Sequence, residues 1–286
     1  MDRGIKIVTG AATAVSALAV LAILVFLAVS ALPLFESGQF GSTLAGGWQP
    51  TGDLPRFGIG PMIAGSITLS LSALLLSFPL SLGICSFIMG GAPRPLRTFV
   101  SALVHFMTGI PTVVYGFLSV LLLVPLIRSA TGGNGLSLLA ACLTLTLLIL
   151  PTITLMLLAR LGRFDNALKL SCTALGMDEA QTQLKVLFPL AKKGMLAAAV
   201  LGFCRALGDT MIALMVSGNS PRWPDGILEP MRALTAHIGM GLATDTHSPE
   251  YRSIGAAGLV LFVLTGVLSL VIRSLGQENG EERRVA

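Results

Sequence analysis

The stretch RLGRFDNALKLSCTALGMDEAQTQLKVLFPLAKKG, residues 160–194, is a long polar interruption between apolar runs. At about 35 residues it is longer than most connections in a compact membrane protein, and such connections usually carry function. It reads as two short helices. Asn166 to Leu175 forms the first, with Gly176 as its C-terminal stop. Asp178 caps the second, Glu179 sits in its first turn, and it runs to Phe188 before Pro189. Leu168, Cys172 and Leu175 line one face of the first helix, and Leu184, Leu187 and Phe188 line one face of the second. Such a pair is either a docking element for another protein or an amphipathic pair lying on lipid headgroups. Periodicity does not choose between them.

The rest of the chain places this loop in a membrane protein. Of 286 residues 53% are hydrophobic and only 12% are charged, and the mean hydropathy is +0.83. A soluble chain of this length needs more charge to cover its surface. A bilayer span takes roughly 20 consecutive apolar residues. Six segments qualify: 7–34, 62–89, 98–127, 136–159, 195–218 and 253–272. The third is interrupted by Gly109, Pro111 and Gly116 and is too short for two spans, so it reads as one broken helix. The expected fold is an all-α membrane protein of six transmembrane helices. Residues 1–61 hold the first helix and an outer loop, 62–275 a transmembrane core containing the 160–194 loop, and 276–286 a cytoplasmic tail.

Orientation follows from lysine and arginine placement. Alternating sides gathers 13 of the 19 on one side, including Arg160, Arg163, Lys169, Lys185, Lys192 and Lys193 of the loop. That side is cytoplasmic, so both termini lie inside. The net charge of +5 comes from this bias and calls for no nucleic-acid partner. Arg3 and Lys6 before an apolar run resemble a signal peptide, but the run exceeds the roughly 7–15 apolar residues of a cleaved signal. A retained first span is expected.

Several chemistries find no residues here. Cys85, Cys142, Cys172 and Cys204 show no metal-ligand spacing, and His105, His237 and His247 are scattered. No acid, base and nucleophile converge, so no catalytic residue is assigned. No G-x-x-x-x-G-K-[ST] run cradles a nucleotide's phosphates. If ATP drives this protein, another polypeptide binds it.

The run FCRALGDTMIALMVSGN, residues 203–219, places Arg205 and Asp209 four residues apart inside an apolar segment. Each such charge costs about 2.5–3.5 kcal/mol at a helix centre, so it faces a bundle interior or a watery cavity. In a continuous helix the two lie one turn apart on one face and can pair. Gly202, Ala206, Ala213 and Ser217 flank them as a small-residue stripe, which lets a helix or a hydrated substrate come close. The pair is either an internal lock on helix packing or part of a translocation path in which Arg205 meets an anion. Arginine suits an oxyanion because its planar fork donates parallel hydrogen bonds.

The 160–194 loop resembles the "EAA" loop of ABC-transporter permeases: Glu-Ala-Ala, three residues, Gly, nine residues, then Ile-x-Leu-Pro. Leu170-Ser171-Cys172 occupies the triplet, Gly176 follows in register, and Val186-Leu187-Phe188-Pro189 closes the pattern with Leu170 where the glutamate stands. RALGDTMIALMVSGNSP (205–221) resembles the fifth-span signature of bacterial phosphate-specific ABC permeases of the PstC type, with Asp209 where Glu is usual. GIPTVVYGFLSVLLLVPL (109–126) and SPEYRSIGAAGLVLFVLT (248–265) resemble the same family. The resemblance implies the type I ABC importer permease fold, in the bacterial inner membrane, with no enzyme activity and no cofactor of its own. It implies that Leu170, Ser171, Cys172, Gly176, Val186, Phe188 and Pro189 couple to the ATPase, and that Arg205 and Asp209 line the phosphate path. The implied partners are a second, distinct permease subunit, two ATP-binding subunits and a periplasmic phosphate-binding protein, in a lipid membrane. The outer loops, with Trp48, Trp223 and RWPDGILEPMRALTAHIG (222–239), would touch that receptor. Two other readings stay open: a permease for molybdate or sulfate, or a membrane scaffold that reports phosphate supply.

Overall fold

A computed structural model describes residues 2–36, 38, 40–51, 55–164, 166–241, 245 and 248–281. His247 and residues 282–286 of the tail, with Arg283 and Arg284, lie outside them.

Lipid offers no hydrogen bonds to a backbone, so apolar runs of this length satisfy their amides internally as helices. Among the described residues, five single helices are long and apolar enough to cross: Gly4–Phe35, Gly60–Gly90, Thr112–Thr131, Leu138–Leu161 and Glu250–Ser274. They lie within five of the six expected segments or overlap them closely. The remaining crossing is built from pieces. Glu179–Leu190 meets Lys192–Leu207 at 78°, and Met211–Val216 continues after a three-residue break. In chain order we number the crossings one to six, the pieced one being the fifth.

The third crossing corrects the expectation of one broken helix over 98–127. Arg94–Thr108 is a separate helix, and the chain restarts at Thr112 after Gly109, Ile110 and Pro111. The proline disfavours a helical conformation at Ile110, which ends the first helix. Arg94–Thr108 buries only Val104, and Phe99 and Phe106 stand exposed.

The fourth crossing is the hub. It is apolar all round, as a helix surrounded by others must be. Leu145, Ile149, Ile153 and Leu157 are buried against the second, third and fifth crossings. Its hydroxyls mostly bond back one turn, as Thr146 does to the Cys142 carbonyl at 2.8 Å. Side-chain hydrogen bonds also tie it to neighbours. Ser81 Oγ of the second crossing donates to the Leu150 carbonyl at 3.1 Å, and Thr144 Oγ1 donates to Ser119 Oγ of the third at 2.7 Å.

The first crossing leans on the sixth. Gly255 and Gly258 give the space: a Cβ would lie 2.8 Å from Ser30 Cβ at Gly255, and 2.7 Å from Leu27 Cδ2 at Gly258. At the end of the bundle away from the 160–194 loop, Trp48–Gln49 and Arg56–Phe57 form a short antiparallel hairpin. There Ile59, Met62, Leu234, Ala256 and Ala257 make a second, smaller core.

Candidate translocation path and coupling surface

Arg205 and Asp209 do not pair. Gly208 ends Lys192–Leu207, and the backbone stays non-helical through Asp209 and Thr210 before Met211–Val216 begins. The one-turn relation that would stack the two side chains is therefore lost, and the expected i,i+4 ion pair is absent among the described residues. Each charge is met by a helix end instead. Arg205 lies in the last turn of Lys192–Leu207, at the negative end of that helix's dipole. Asp209 Oδ2 accepts a hydrogen bond from the Ile212 backbone N–H at 2.8 Å, capping the short helix beyond the break. The break is held open from the side, where Thr235 Oγ1 donates to the Asp209 carbonyl at 2.9 Å.

The small-residue stripe also departs from expectation. Gly202 packs on the fourth crossing, where a Cβ would lie 2.5 Å from Ile153 Cδ1. Ala206, Ala213 and Ser217 are buried, and Ser217 Oγ donates to the Met231 carbonyl at 2.9 Å. The stripe is a packing face, while Arg205 is exposed on the other flank of its helix. The arrangement offers one exposed cation at a backbone break inside a crossing, with the neighbouring acid committed to a cap.

The connection from the fifth to the sixth crossing, expected to be an outer loop, packs in large part onto the end of the bundle. Ile227 and Glu229 give their carbonyls to the N–H groups of Leu139 and Leu138 at 2.8 and 3.0 Å, closing the open end of the fourth crossing. Ser137 Oγ accepts the Ala140 N–H there as well. Gly218 and Asn219 turn in left-handed conformations, at φ 79° and 51°, and Arg232 Nε donates to the Asn219 carbonyl at 3.0 Å. The helix Leu234–Gly241 is buried from Leu234 through His237. Trp48 lies edge-on to His237, ring centres 4.7 Å apart, so this indole belongs to the fold's own packing. Trp223 stays about half exposed.

At the other end the 160–194 loop forms the two expected helical pieces, Asn166–Ala174 and Glu179–Leu190. Gly176 takes φ 76°, and the Met177 N–H reaches back to the Cys172 carbonyl at 3.1 Å, the closure that a left-handed residue permits at a helix end. Asp178 caps the second piece, accepting from the Gln181 N–H at 2.6 Å. The faces are the finding. Cys172 and Leu187 are 4% and 2% exposed, and Leu187 belongs to the bundle's core, with Leu168 packed against it. Phe188 packs against the same core, Val186 is half-buried, and Pro189 and Ser171 are exposed. The outward apolar surface is Leu170, Leu175 and Leu184, which are 74%, 80% and 64% exposed. The periodicity grouped Cys172 with Leu175 and Leu187 with Leu184; in the fold they part.

Two anchors of this loop had no sequence signal. Gln183 Nε2 donates to the Ser86 carbonyl at the end of the second crossing, at 3.3 Å. Gly90 passes so close to Glu179 that a Cβ would lie 2.9 Å from its carboxylate. Thr235 on the Asp209 carbonyl is a third such contact. Each joins residues far apart in the chain, which no local pattern reports.

Comparison with known proteins agrees with this geometry. Residues 83–277 match the family model described as binding-protein-dependent transport system inner membrane component. The chain is similar to a probable ABC transporter permease protein of Bacillus subtilis, YqgH: 34% identity, covering 97% of this chain and 91% of the relative. It is similar to the phosphate transport system permease protein PstC of Xylella fastidiosa, at 30% identity over 89% of this chain and 86% of the relative. For PstC of Mesorhizobium japonicum the figures are 28%, 79% and 75%. Among solved structures, the inward-facing MetNI methionine ABC transporter aligns with a TM-score of 0.59 at 18% identity, over 76% of this chain and 95% of that one. An amino acid ABC transporter aligns at 0.55 and 19%, over 76% and 92%. These structural likenesses show the fold. The chain belongs to the family of binding-protein-dependent transport system inner membrane components, and it is a permease subunit of an ABC importer, not itself an enzyme.

Proposed function

We propose that this permease subunit carries inorganic phosphate across the bacterial inner membrane, as half of a pore completed by a second, distinct permease subunit. Two ATP-binding subunits and a periplasmic phosphate-binding protein complete the importer. The observation that supports this reading is Arg205, exposed in the last helical turn before a break inside the fifth crossing, with no direct ion pair among the described residues. A cation inside a crossing is expensive, and one whose donors are not taken up by a direct ion pair can give them to a passing anion. The PstC names of several relatives support phosphate as that anion.

The cycle follows from the parts. ATP closes the partner ATPases on the exposed leucines of the 160–194 loop. The loop is anchored to the second crossing through Gln183 and runs into the fifth at a 78° bend, so its movement turns the crossing that bears Arg205. The cavity then faces outward and takes phosphate from the receptor, and hydrolysis returns it inward. Release requires that the cavity bind phosphate differently in the two states. Residues 62–275 form the moving core, and both termini lie in the cytoplasm.

The test is ATP-driven phosphate uptake by the reconstituted complex, wild type against Arg205→Gln, with ATPase co-purification checked in both. We expect uptake to fall by about 100-fold or more while the complex stays assembled, the scale of losing a charge-assisted bidentate contact. Unchanged uptake places the anion route elsewhere. Wild-type uptake of molybdate or sulfate in place of phosphate keeps the permease and changes its cargo.

A further inference from the structure

The end of the bundle away from the 160–194 loop holds a cavity that neither Arg205 nor the coupling surface uses. Its volume is about 550 Å³, and it opens between the end of the first crossing, the Trp48–Phe57 hairpin and the start of the sixth crossing. Arg56 lines it from the hairpin and Arg252 from the first turn of the last helix. Thr43 and Ser253, both buried, add hydroxyls to the wall. The hairpin side is close-packed backbone, because a Cβ on Gly58 would overlap the Gly46 carbonyl.

Among the described residues, no aspartate or glutamate lines this cavity. Among the described residues neither guanidinium takes part in a hydrogen bond or an ion pair. Two like charges lining one space repel each other, and a tetrahedral oxyanion between them turns that repulsion into two charge-assisted contacts. The Thr43 hydroxyl offers a neutral donor beside it, while Ser253 Oγ already donates to the Glu250 carbonyl at 2.6 Å.

We propose that this cavity binds a phosphate-type oxyanion group between Arg56 and Arg252, at a site separate from the path at Arg205. Two sources present the same oxygens: free inorganic phosphate at the mouth of the transporter, and the phosphodiester of a lipid headgroup. The headgroup level is where the ends of two crossings meet, so either can reach the cavity. The proposal does not depend on which solute the pore carries, because it concerns occupancy and not transport.

The test uses the assembled complex in detergent, in an Arg205→Gln background so that an anion held at the break does not contribute. Equilibrium binding of radiolabelled inorganic phosphate gives one readout, and native mass spectrometry of retained phospholipid gives the other. The double variant Arg56→Gln/Arg252→Gln should lose about tenfold or more of one occupancy. Loss confined to inorganic phosphate assigns the free anion, and loss confined to phospholipid assigns the headgroup. If neither changes, the proposal is overturned. Arg56→Lys/Arg252→Lys keeps both charges and removes the planar forks, so it should bind about threefold or more weakly. Should the glutamine pair fail to assemble, wild-type binding by the lysine pair overturns the proposal.

Discussion

At the residue scale, Asp209 acts through hydrogen bonding at a helix start. Its carboxylate holds the Ile212 N–H and its carbonyl holds Thr235. Asp209→Asn keeps an acceptor for the N–H, so the complex should assemble and melt as wild type does. Asp209→Ala removes the cap and should cost about 1 kcal/mol, read as a lower melting temperature of the detergent-solubilised complex. Equal melting of both variants would mean that the cap is idle. His237 lies in the connection between the fifth and sixth crossings. Burial first, and the Arg232 guanidinium second, lower its pKa from 6.5 to about 4. A base with a lowered folded pKa takes up more protons when unfolded, so stability is complete above about pH 6.5 and falls as pH drops toward 4. The loss is on the order of 3 kcal/mol. Melting at pH 5 against pH 7.5 should show it, and His237→Gln should flatten the difference.

At the element scale, the 160–194 loop has two apolar faces with different duties. The inward one holds the buried Cys172 and Leu187, with Leu187 in the bundle's core; the outward one, Leu170, Leu175 and Leu184, is left bare. Leu187→Ala removes a buried side chain and should lower permease stability by about 2–5 kcal/mol. Leu170→Asp combined with Leu184→Asp should leave permease melting unchanged and abolish ATPase co-purification. If the double aspartate variant still carries its ATPase, this face is not the coupling surface, and the reading of a helix pair on lipid headgroups returns. The loop was legible because its stop and start signals, Gly176 and Asp178, are local. Which leucine faced the bundle was not, because the two pieces are too short for periodicity to fix a face without knowing where the second crossing ends.

At the scale of the whole molecule, the lysine and arginine bias predicts that the 160–194 loop is cytoplasmic and that residues 220–229 face out. In a cysteine-free background, a membrane-impermeant maleimide applied to intact cells should label Asp225→Cys and spare Ser171→Cys. The opposite pattern would invert the orientation. Read from the residues alone, the chain already yields its class, its six apolar segments, its 160–194 loop and the two charges inside the fifth. Those follow from transfer free energy and from capping chemistry, which act over one span or one turn. The break at Gly208, the inward fold of residues 227–237 and the anchors at Gln183 and Thr235 were decided only in three dimensions. Each depends on a partner from 13 to about 100 positions away, such as Met231 on Ser217 or Ser86 on Gln183. A local pattern says that a charge stands in a crossing; only the packed neighbours decide whether the helix stays continuous enough for it to pair one turn on.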